Sequence, residues 1–261
     1  MALQFVEING ARLAYRLEGP KDAPLLITLH GGRGFGTHDS DWAAYRPLSD
    51  KYRVISFDYR GHGQSSRTAP YTFKQIVDDI EALRKYFTSD KAVVLGGSFG
   101  GFLALQYAIT YPDSVCHLIL RGTAPSYHQE EDAIEVLATR LHKAPSFSIN
   151  MLKDKVFGAF ASDLEFQLVH LAMLPLYSEV FDADAALQSC LRGVYNAKAH
   201  NDLYSPEEKY FDYRADLHKI TAPTLVVVGD KDWICPPKNS KLIAEKVPRA
   251  ELYVVADANH S

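Results

Sequence analysis

The sequence predicts an α/β fold in which a mostly parallel sheet carries helices on both faces and a helical cap is inserted. Short, nearly continuous apolar runs recur along the chain, as in strands that are buried on both faces. Helical patterns lie between several of these runs, and one stretch of about ninety residues contains none of them. The runs are Leu25–Leu29, Val54–Phe57, Ala92–Leu95, Val115–Leu120, Leu225–Val228 and Leu252–Val255.

Two short alternating segments precede the first apolar run. They are Gln4–Ile8 and Arg12–Leu17, and Asn9-Gly10 lies between them. Alternating segments around an Asn-Gly pair are typical of a β-hairpin. We therefore predict an antiparallel edge to the sheet.

The clearest helical pattern is Phe73–Phe87, where apolar residues recur at i, i+3, i+4 and i+7. Thr72 and Gln75 have the spacing of a capping box at its start. Strands that alternate with helices favour a doubly wound sheet. Two further helices are predicted, Phe102–Tyr111 and Pro237–Val247.

Helix-like segments replace the apolar runs between Ala124 and about Leu217. We predict a core domain of residues 1–123 and 218–261 and a helical cap of residues 124–217. Ligands of open α/β sheets bind at the carboxyl ends of the strands, so we expect the cap to act as a lid there. The predicted cap helices are Glu130–His142, Ile149–Phe160, Asp163–Leu174 and Ala183–Val194.

Composition limits the partners of the chain. The 261 residues carry a formal net charge of −4 and lack the basic stripe that nucleic acid or an anionic membrane needs. No apolar run approaches the roughly 18 residues of a membrane helix, and no charged leader precedes an apolar stretch. Three dispersed cysteines argue against a disulfide framework. We expect a cytoplasmic protein with a small-molecule substrate, and oligomerisation through the cap stays open.

The most specific motif is Gly96-Gly97-Ser98-Phe99-Gly100, which follows a predicted strand and precedes a predicted helix. A Gly-x-Ser-x-Gly turn in this context is a nucleophile elbow. The flanking glycines lack the Cβ atoms that would clash in the turn. The helix start directs N–H groups at the oxyanion that forms on attack, so we assign one oxyanion-hole N–H to Phe99.

A serine nucleophile needs a histidine base that a carboxylate holds in place. In this kind of fold the acid and the histidine follow the serine along the chain. His260, just beyond the last predicted strand, fits the base best. The loop after the preceding strand offers Asp230 and Asp232 as the acid, and the residues alone leave both open.

The second oxyanion-hole donor is expected in the loop His30–Gly34, and we assign it to the N–H of Gly32. Arg33 either binds a substrate carboxylate or phosphate, or is a solvated or ion-paired arginine. We also assign substrate contacts to Phe35, Tyr127 and Trp233.

Other histidines are given structural roles. His62 follows a different strand from the triad residues, and we expect it to fix a turn beside the site. His38, Asp39 and Asp41 lie close together but lack the further ligand that a metal site needs. We expect no metal and no organic cofactor.

Five segments resemble the α/β-hydrolase fold family, in particular the branch related to proline iminopeptidases and to some lactonases and esterases. The His30–Gly34 loop resembles the His-Gly-Gly-Pro-Gly loop of that branch, with Arg33 in place of proline. The resemblance implies Asp232 as the acid. Members of the branch continue with a further helix, so it also implies that such an extension would stabilise this chain. The other matching segments are Asp58–Ser65, Gly96–Gly101, Gly229–Pro236 and Asn259-His260.

These observations predict a serine hydrolase that cleaves a small lactone or ester through an acyl-enzyme. Removal of an N-terminal proline is the alternative, and it would need a cap carboxylate for the substrate ammonium. Arg33 argues against that reaction because a cation near the pocket disfavours an ammonium group. A ligand-binding receptor or pseudoenzyme on the same fold is the alternative from another class.

Overall fold

A computed structural model describes residues 2–87 and 90–260, and its centre is an eight-stranded sheet. The strand order is β1-β2-β4-β3-β5-β6-β7-β8. β1 and β2 form the predicted hairpin, β2 also pairs antiparallel with β4, and every later pairing is parallel. The predicted fold class is confirmed. The strands are β1 Gln4–Ile8, β2 Ala11–Glu18, β3 Leu25–Leu29, β4 Arg53–Phe57, β5 Ala92–Gly97, β6 Val115–Arg121, β7 Thr224–Gly229 and β8 Ala250–Val255.

Helices connect the parallel strands and fill the long segment between β6 and β7. In addition to short 3₁₀ turns, the described residues form ten α-helices. They are α1 His38–Tyr45, α2 Phe73–Phe87, α3 Phe99–Thr110, α4 Gln129–Arg140, α5 Ile149–Met151, α6 Asp163–Met173, α7 Ala183–Arg192, α8 Ala197–Leu203, α9 Pro206–Lys209 and α10 Pro237–Lys246.

The helix α2 has the predicted bounds, and its apolar stripe is buried. Thr72 caps it, since the Gln75 N–H donates to Thr72 Oγ1 over 3.1 Å. The reciprocal half of a capping box is replaced by another contact. The Gln75 side chain donates instead to Asp79, which also forms a buried ion pair with Arg60.

The segment between β6 and β7 is helical, as expected, but its helices differ in detail from the prediction. The single helix predicted at Ile149–Phe160 is wrong: α5 ends at Met151 and continues as a π-helical turn, Leu152–Val156. The wider turn is closed where the Phe157 N–H donates to the Leu152 carbonyl over 2.8 Å. Apolar spacing does not distinguish these two helix types over so few residues. The division into core and cap at residues 124 and 217 remains a prediction.

The helix α1 was missed by the sequence analysis because it has almost no apolar periodicity. It begins after Thr37, whose hydroxyl accepts from the Asp39 N–H. It packs on the sheet face opposite α2 and α3, where Trp42 lies against Leu26 and Leu95. This helix brings Asp41 towards the carboxyl ends of the strands.

The two faces of the sheet are buried to different extents. The main core contains α2 and α3, and the cluster around α1 has five buried residues. On β7 and β8, Leu225 and Tyr253 are 39% and 62% exposed. Among the described residues, no helix is both long and apolar enough to cross a membrane.

Candidate active site

The turn between β5 and α3 holds Ser98 in a conformation that few residues adopt. Its φ and ψ are 54° and −121°, and it is the residue before the first turn of α3. The Ser98 N–H donates to the Arg121 carbonyl over 2.9 Å, which ties the turn to β6. A side chain at Gly100 would run into the Leu29 carbonyl, so glycine is needed for α3 to approach β3 this closely.

Two segments with backbone N–H groups flank Ser98. Phe99 is the first residue of α3, so its N–H has no acceptor within the helix. The loop after β3 packs on the other side, since a Cβ at Gly31 would lie 3.1 Å from Ser98 Cβ. Gly32 has φ of 83°, which a residue with a side chain would adopt only under strain. The predicted donors, Gly32 and Phe99, therefore belong to the two segments next to the serine.

His62 holds this loop in place, consistent with the structural role predicted for it. Its Nε2 accepts from the Gly34 N–H over 2.7 Å, and its Nδ1 lies 3.0 Å from the Arg60 carbonyl. These partners require a neutral ring with the proton on Nδ1. Burial lowers the pKa of His62 to about 4, so the ring keeps that state at neutral pH.

The loop after β7 places Asp232, and not Asp230, beside His260. The Nδ1 of His260 lies 2.8 Å from Asp232 Oδ2. The other carboxylate oxygen of Asp232 accepts from the N–H groups of Ile234 and Cys235, over 3.1 and 2.8 Å. Asp230 instead accepts from the Ala258 N–H at the surface, over 3.2 Å. Asp232 is thus fixed by its own loop and can hold the histidine ring in one orientation.

Gly122, which the sequence analysis missed, lies against this pair. A Cβ there would be 2.9 Å from Asp232 Oδ2 and 3.3 Å from His260 Nδ1. Its φ is 49°, and its N–H donates to the Val227 carbonyl over 2.9 Å. Its place directly after β6 was the one feature in the sequence that could have drawn attention to Gly122. Its neighbours, however, come from the loops after β7 and β8, which are distant in the chain.

Ser98 and His260 line the same cavity, which has a volume of about 430 Å³. Residues of the core and of the helical segment between β6 and β7 both contribute to its wall. Much of the wall is aromatic, as in many pockets for small organic molecules. Six phenylalanines contribute: Phe35, Phe99, Phe102, Phe157, Phe160 and Phe166.

The structure brings two of the four predicted substrate contacts to this cavity. Arg33 and Phe35 line it. Trp233 does not: it is fully buried, and its ring packs 5.3 Å from that of Tyr177. Tyr127 also lies elsewhere, with its ring 4.1 Å from His128. Aromatic composition could not distinguish packing from ligand contact, because both uses bury the ring.

The ionisable groups in the cavity wall are mostly cationic or neutral. Arg33 and Arg121 line it together with Asp41. Burial raises the pKa of Asp41 to about 6, although Arg121 opposes the shift. Burial also lowers the pKa of His170 to about 4 and of His200 to about 3. Among the residues that the structure describes, no group of three or more His, Cys, Asp or Glu side chains could hold a metal ion.

Comparison with known proteins gives consistent matches over nearly the whole chain. Residues 24–261 match the family described as alpha/beta hydrolase fold. Proline iminopeptidase PfmaB of Pestalotiopsis fici is 70% identical, covering 99% of this chain and 93% of that protein. A proline iminopeptidase of Xylella fastidiosa strain Temecula1 is 40% identical, covering 96% and 87%. The esterase RhEst1 from Rhodococcus sp. ECU1013 superposes with a TM-score of 0.75 at 19% identity, covering 100% and 92%.

Proposed function

Because the chain belongs to the α/β-hydrolase family and is a hydrolase, we propose that it uses Ser98, His260 and Asp232 as a catalytic triad. The observation that carries this proposal is the 2.8 Å contact between His260 and Asp232 beside a strained Ser98. The three residues follow the carboxyl ends of β5, β7 and β8 in the parallel part of the sheet, where ligands bind in such folds. His260 and Ser98 share one cavity, so a substrate carbonyl can reach both.

The reaction follows from the roles of these groups. Ser98 Oγ attacks the carbonyl carbon while His260 Nε2 takes the hydroxyl proton. The N–H groups of Gly32 and Phe99 stabilise the oxyanion, and Asp232 keeps the imidazolium oriented. His260 then protonates the leaving group, and water releases the acyl group by the reverse route.

An ester or lactone is the substrate class that the pocket supports. The wall is largely aromatic. It contains two arginines, Arg33 and Arg121, and one carboxylic acid, Asp41. A cation in a poorly hydrated pocket repels a positively charged substrate. An N-terminal proline carries such a charge on the residue that must lie next to Ser98.

Release of an N-terminal proline is the second candidate, and the comparisons favour it over the first. The relatives at 70% and 40% identity are both named proline iminopeptidases. That reaction needs an acidic group for the substrate ammonium. Glu130 is the buried glutamate of the helical segment, but its Oε2 already lies 3.3 Å from Lys209 Nζ.

A paired hydrolysis assay distinguishes the two candidate substrate classes. Initial rates are measured for a δ-lactone and for a proline arylamide, with wild-type protein and with Ser98→Ala. We expect Ser98→Ala to lower kcat by at least about a thousand-fold on whichever substrate is turned over, because the nucleophile is lost. Ser178→Ala, a serine at an exposed position outside the cavity wall, is the matched control and should keep the wild-type rate.

The outcomes are distinct. Lactone opening without amide cleavage supports the first substrate class, and amide cleavage without lactone opening supports the second. Retention of a tenth of the wild-type rate by Ser98→Ala would remove the triad proposal. Binding of either compound with no turnover would favour the receptor or pseudoenzyme alternative.

A further inference from the structure

Arg33 is a buried cation in the wall of the catalytic cavity. The residue is 5% exposed. Its Nη1 donates to the Leu203 carbonyl over a long 3.3 Å, and Nη2 has no hydrogen-bond partner among the described residues. No carboxylate of residues 2–87 or 90–260 forms an ion pair with it. A buried charge without an ion-pair partner is costly, which suggests that Arg33 is retained for a function.

Aromatic rings surround the guanidinium and shield it from water. Its Cζ lies 4.0 Å from the ring centre of Tyr204, 5.1 Å from Phe73 and 5.4 Å from Phe102. Phe99 and Phe211 add rings at 5.6 and 5.7 Å. Ring faces attract a cation but do not neutralise it. In such surroundings the attraction between the guanidinium and an incoming anion is much stronger than it would be in water.

Two glutamates near Arg33 have their hydrogen bonds and ion pairs with other groups. Glu130 lies 3.3 Å from Lys209 through Oε2, while its Oε1 has no partner in the described part of the chain. Glu208 accepts the Phe73 N–H over 2.7 Å. Burial raises the pKa of both glutamates, and Arg33 opposes that shift in each of them. The protein thus surrounds Arg33 with fixed rings, and these two carboxylates act on it without forming an ion pair.

Arg33 lies in the same cavity wall as the proposed nucleophile, Ser98. It directly follows Gly32, whose N–H is the proposed oxyanion donor, and both residues line the cavity with Ser98. A substrate whose carbonyl is held at Ser98 therefore shares one cavity with the guanidinium, and an anionic group on its acyl part can extend towards Arg33.

We propose that the guanidinium of Arg33 recognises a carboxylate on the acyl part of the substrate, so that the enzyme prefers half-esters of dicarboxylic acids to neutral esters. The proposal rests on the proposed acyl-enzyme chemistry at Ser98 and names the substrate class of that site. A planar guanidinium with a free N–H suits a carboxylate better than it suits a neutral acyl chain. Arg121, which also lines the cavity, adds positive charge of the same sign.

The test compares two esters of equal acyl length, the mono-4-nitrophenyl ester of adipic acid and 4-nitrophenyl hexanoate. The readout is the ratio of their kcat/KM values for each variant. We expect wild-type protein to prefer the half-ester by at least about tenfold, equivalent to about 1.4 kcal/mol. Arg33→Met should bring the ratio to one or below, and Arg33→Lys should keep part of the preference. Arg249→Met, which removes an exposed guanidinium outside the cavity wall, is the matched control and should preserve the preference.

Two results would overturn the proposal: a wild-type preference for the hexanoate, or an unchanged ratio in folded Arg33→Met. The wild-type ratio needs no variant, so misfolding of Arg33→Met does not leave the question open. A separate binding measurement distinguishes failure here from failure of the proposed function. If neither ester is hydrolysed, the triad proposal fails for esters. In that case at least about tenfold tighter binding of adipate to wild type than to folded Arg33→Met supports the carboxylate site, and equal binding refutes it.

Discussion

Ser98 has a strained backbone, and glycines at positions 31 and 100 let the neighbouring segments pack closely around it. A positive φ at a non-glycine residue costs on the order of 1–3 kcal/mol and persists only where the surroundings enforce it. Here the enforcing contacts are the hydrogen bond to the Arg121 carbonyl and the donation from Thr123 Oγ1 to the Ser98 carbonyl over 2.9 Å. The strain presents the hydroxyl to the cavity instead of to the sheet.

Gly122→Ala should impair catalysis more than it impairs folding. The added methyl group would lie 2.9 Å from Asp232 Oδ2, so it should displace the carboxylate or the ring of His260. Because displacement of about 1 Å in such a pair can cost up to a hundredfold in rate, we expect kcat/KM to fall by at least about tenfold. Steady-state kinetics and thermal unfolding would be measured on the same preparation.

Gly10→Ala is the matched control for this substitution. Its φ of 77° creates the same kind of backbone strain, but nothing lies within 4 Å of the added Cβ. It should lose about 1 kcal/mol of unfolding free energy and keep wild-type kcat/KM. Wild-type kinetics in Gly122→Ala would show that the site tolerates the methyl group.

At the scale of elements, the start of α2 depends on one side chain. Thr72 Oγ1 accepts the Gln75 N–H over 3.1 Å, and the Thr72 carbonyl accepts the Ile76 N–H over 3.1 Å. Since α2 buries its apolar stripe against the sheet, loss of the cap should destabilise the whole fold. Thr72→Ala should lower the free energy of unfolding by about 1 kcal/mol in urea titrations.

Thr72→Ser keeps the hydroxyl and serves as the control for this change. It should retain most of the stability, because serine caps helices as well as threonine does. Equal stability of Thr72→Ala and wild type would mean that water or another group satisfies the freed N–H. Catalytic rates of both variants should remain at the wild-type value, since Thr72 lies outside the cavity wall.

For the whole molecule, four buried histidines make stability depend on pH. Burial lowers the pKa to about 3 for His30 and His200, and to about 4 for His62 and His170. The unfolded chain binds protons on these rings below about pH 6.5, whereas the folded chain does not. Stability is therefore fully present above pH 6.5 and is lost as the pH falls towards these lower values.

The free energy of unfolding should accordingly be several kcal/mol lower at pH 5 than at pH 7. Each of the four rings can contribute up to about 2 kcal/mol over this interval. Asp41 offsets part of the loss, because its raised pKa of about 6 lets the folded state take up a proton. Urea unfolding at both pH values measures the difference. An unfolding free energy that does not change would contradict buried, neutral histidines.

The elements that the sequence predicted best are those with a repeating local pattern. The bounds of β1, β3 and α2 agree with the prediction. The buried residues of β1 recur with the period of a strand and those of α2 with the period of a helix, whereas β3 lies wholly in the core. The helix α1 lacks such a pattern, and the π-helical turn after α5 differs from an α-helix only in its hydrogen bonding. Neither could be found from side-chain spacing.

The sequence by itself determined the α/β fold, the hairpin at the edge of the sheet and the candidate nucleophile, because glycine spacing and apolar runs are properties of neighbouring residues. Only the tertiary structure placed Gly122 against the pair of Asp232 and His260, and separated Arg33 and Phe35 in the cavity wall from Trp233 in the core. It also brings Asp232, which the family resemblance implies, and not Asp230 to His260. Each of these depends on contacts between loops that are far apart in the chain, and the sheet register sets those contacts.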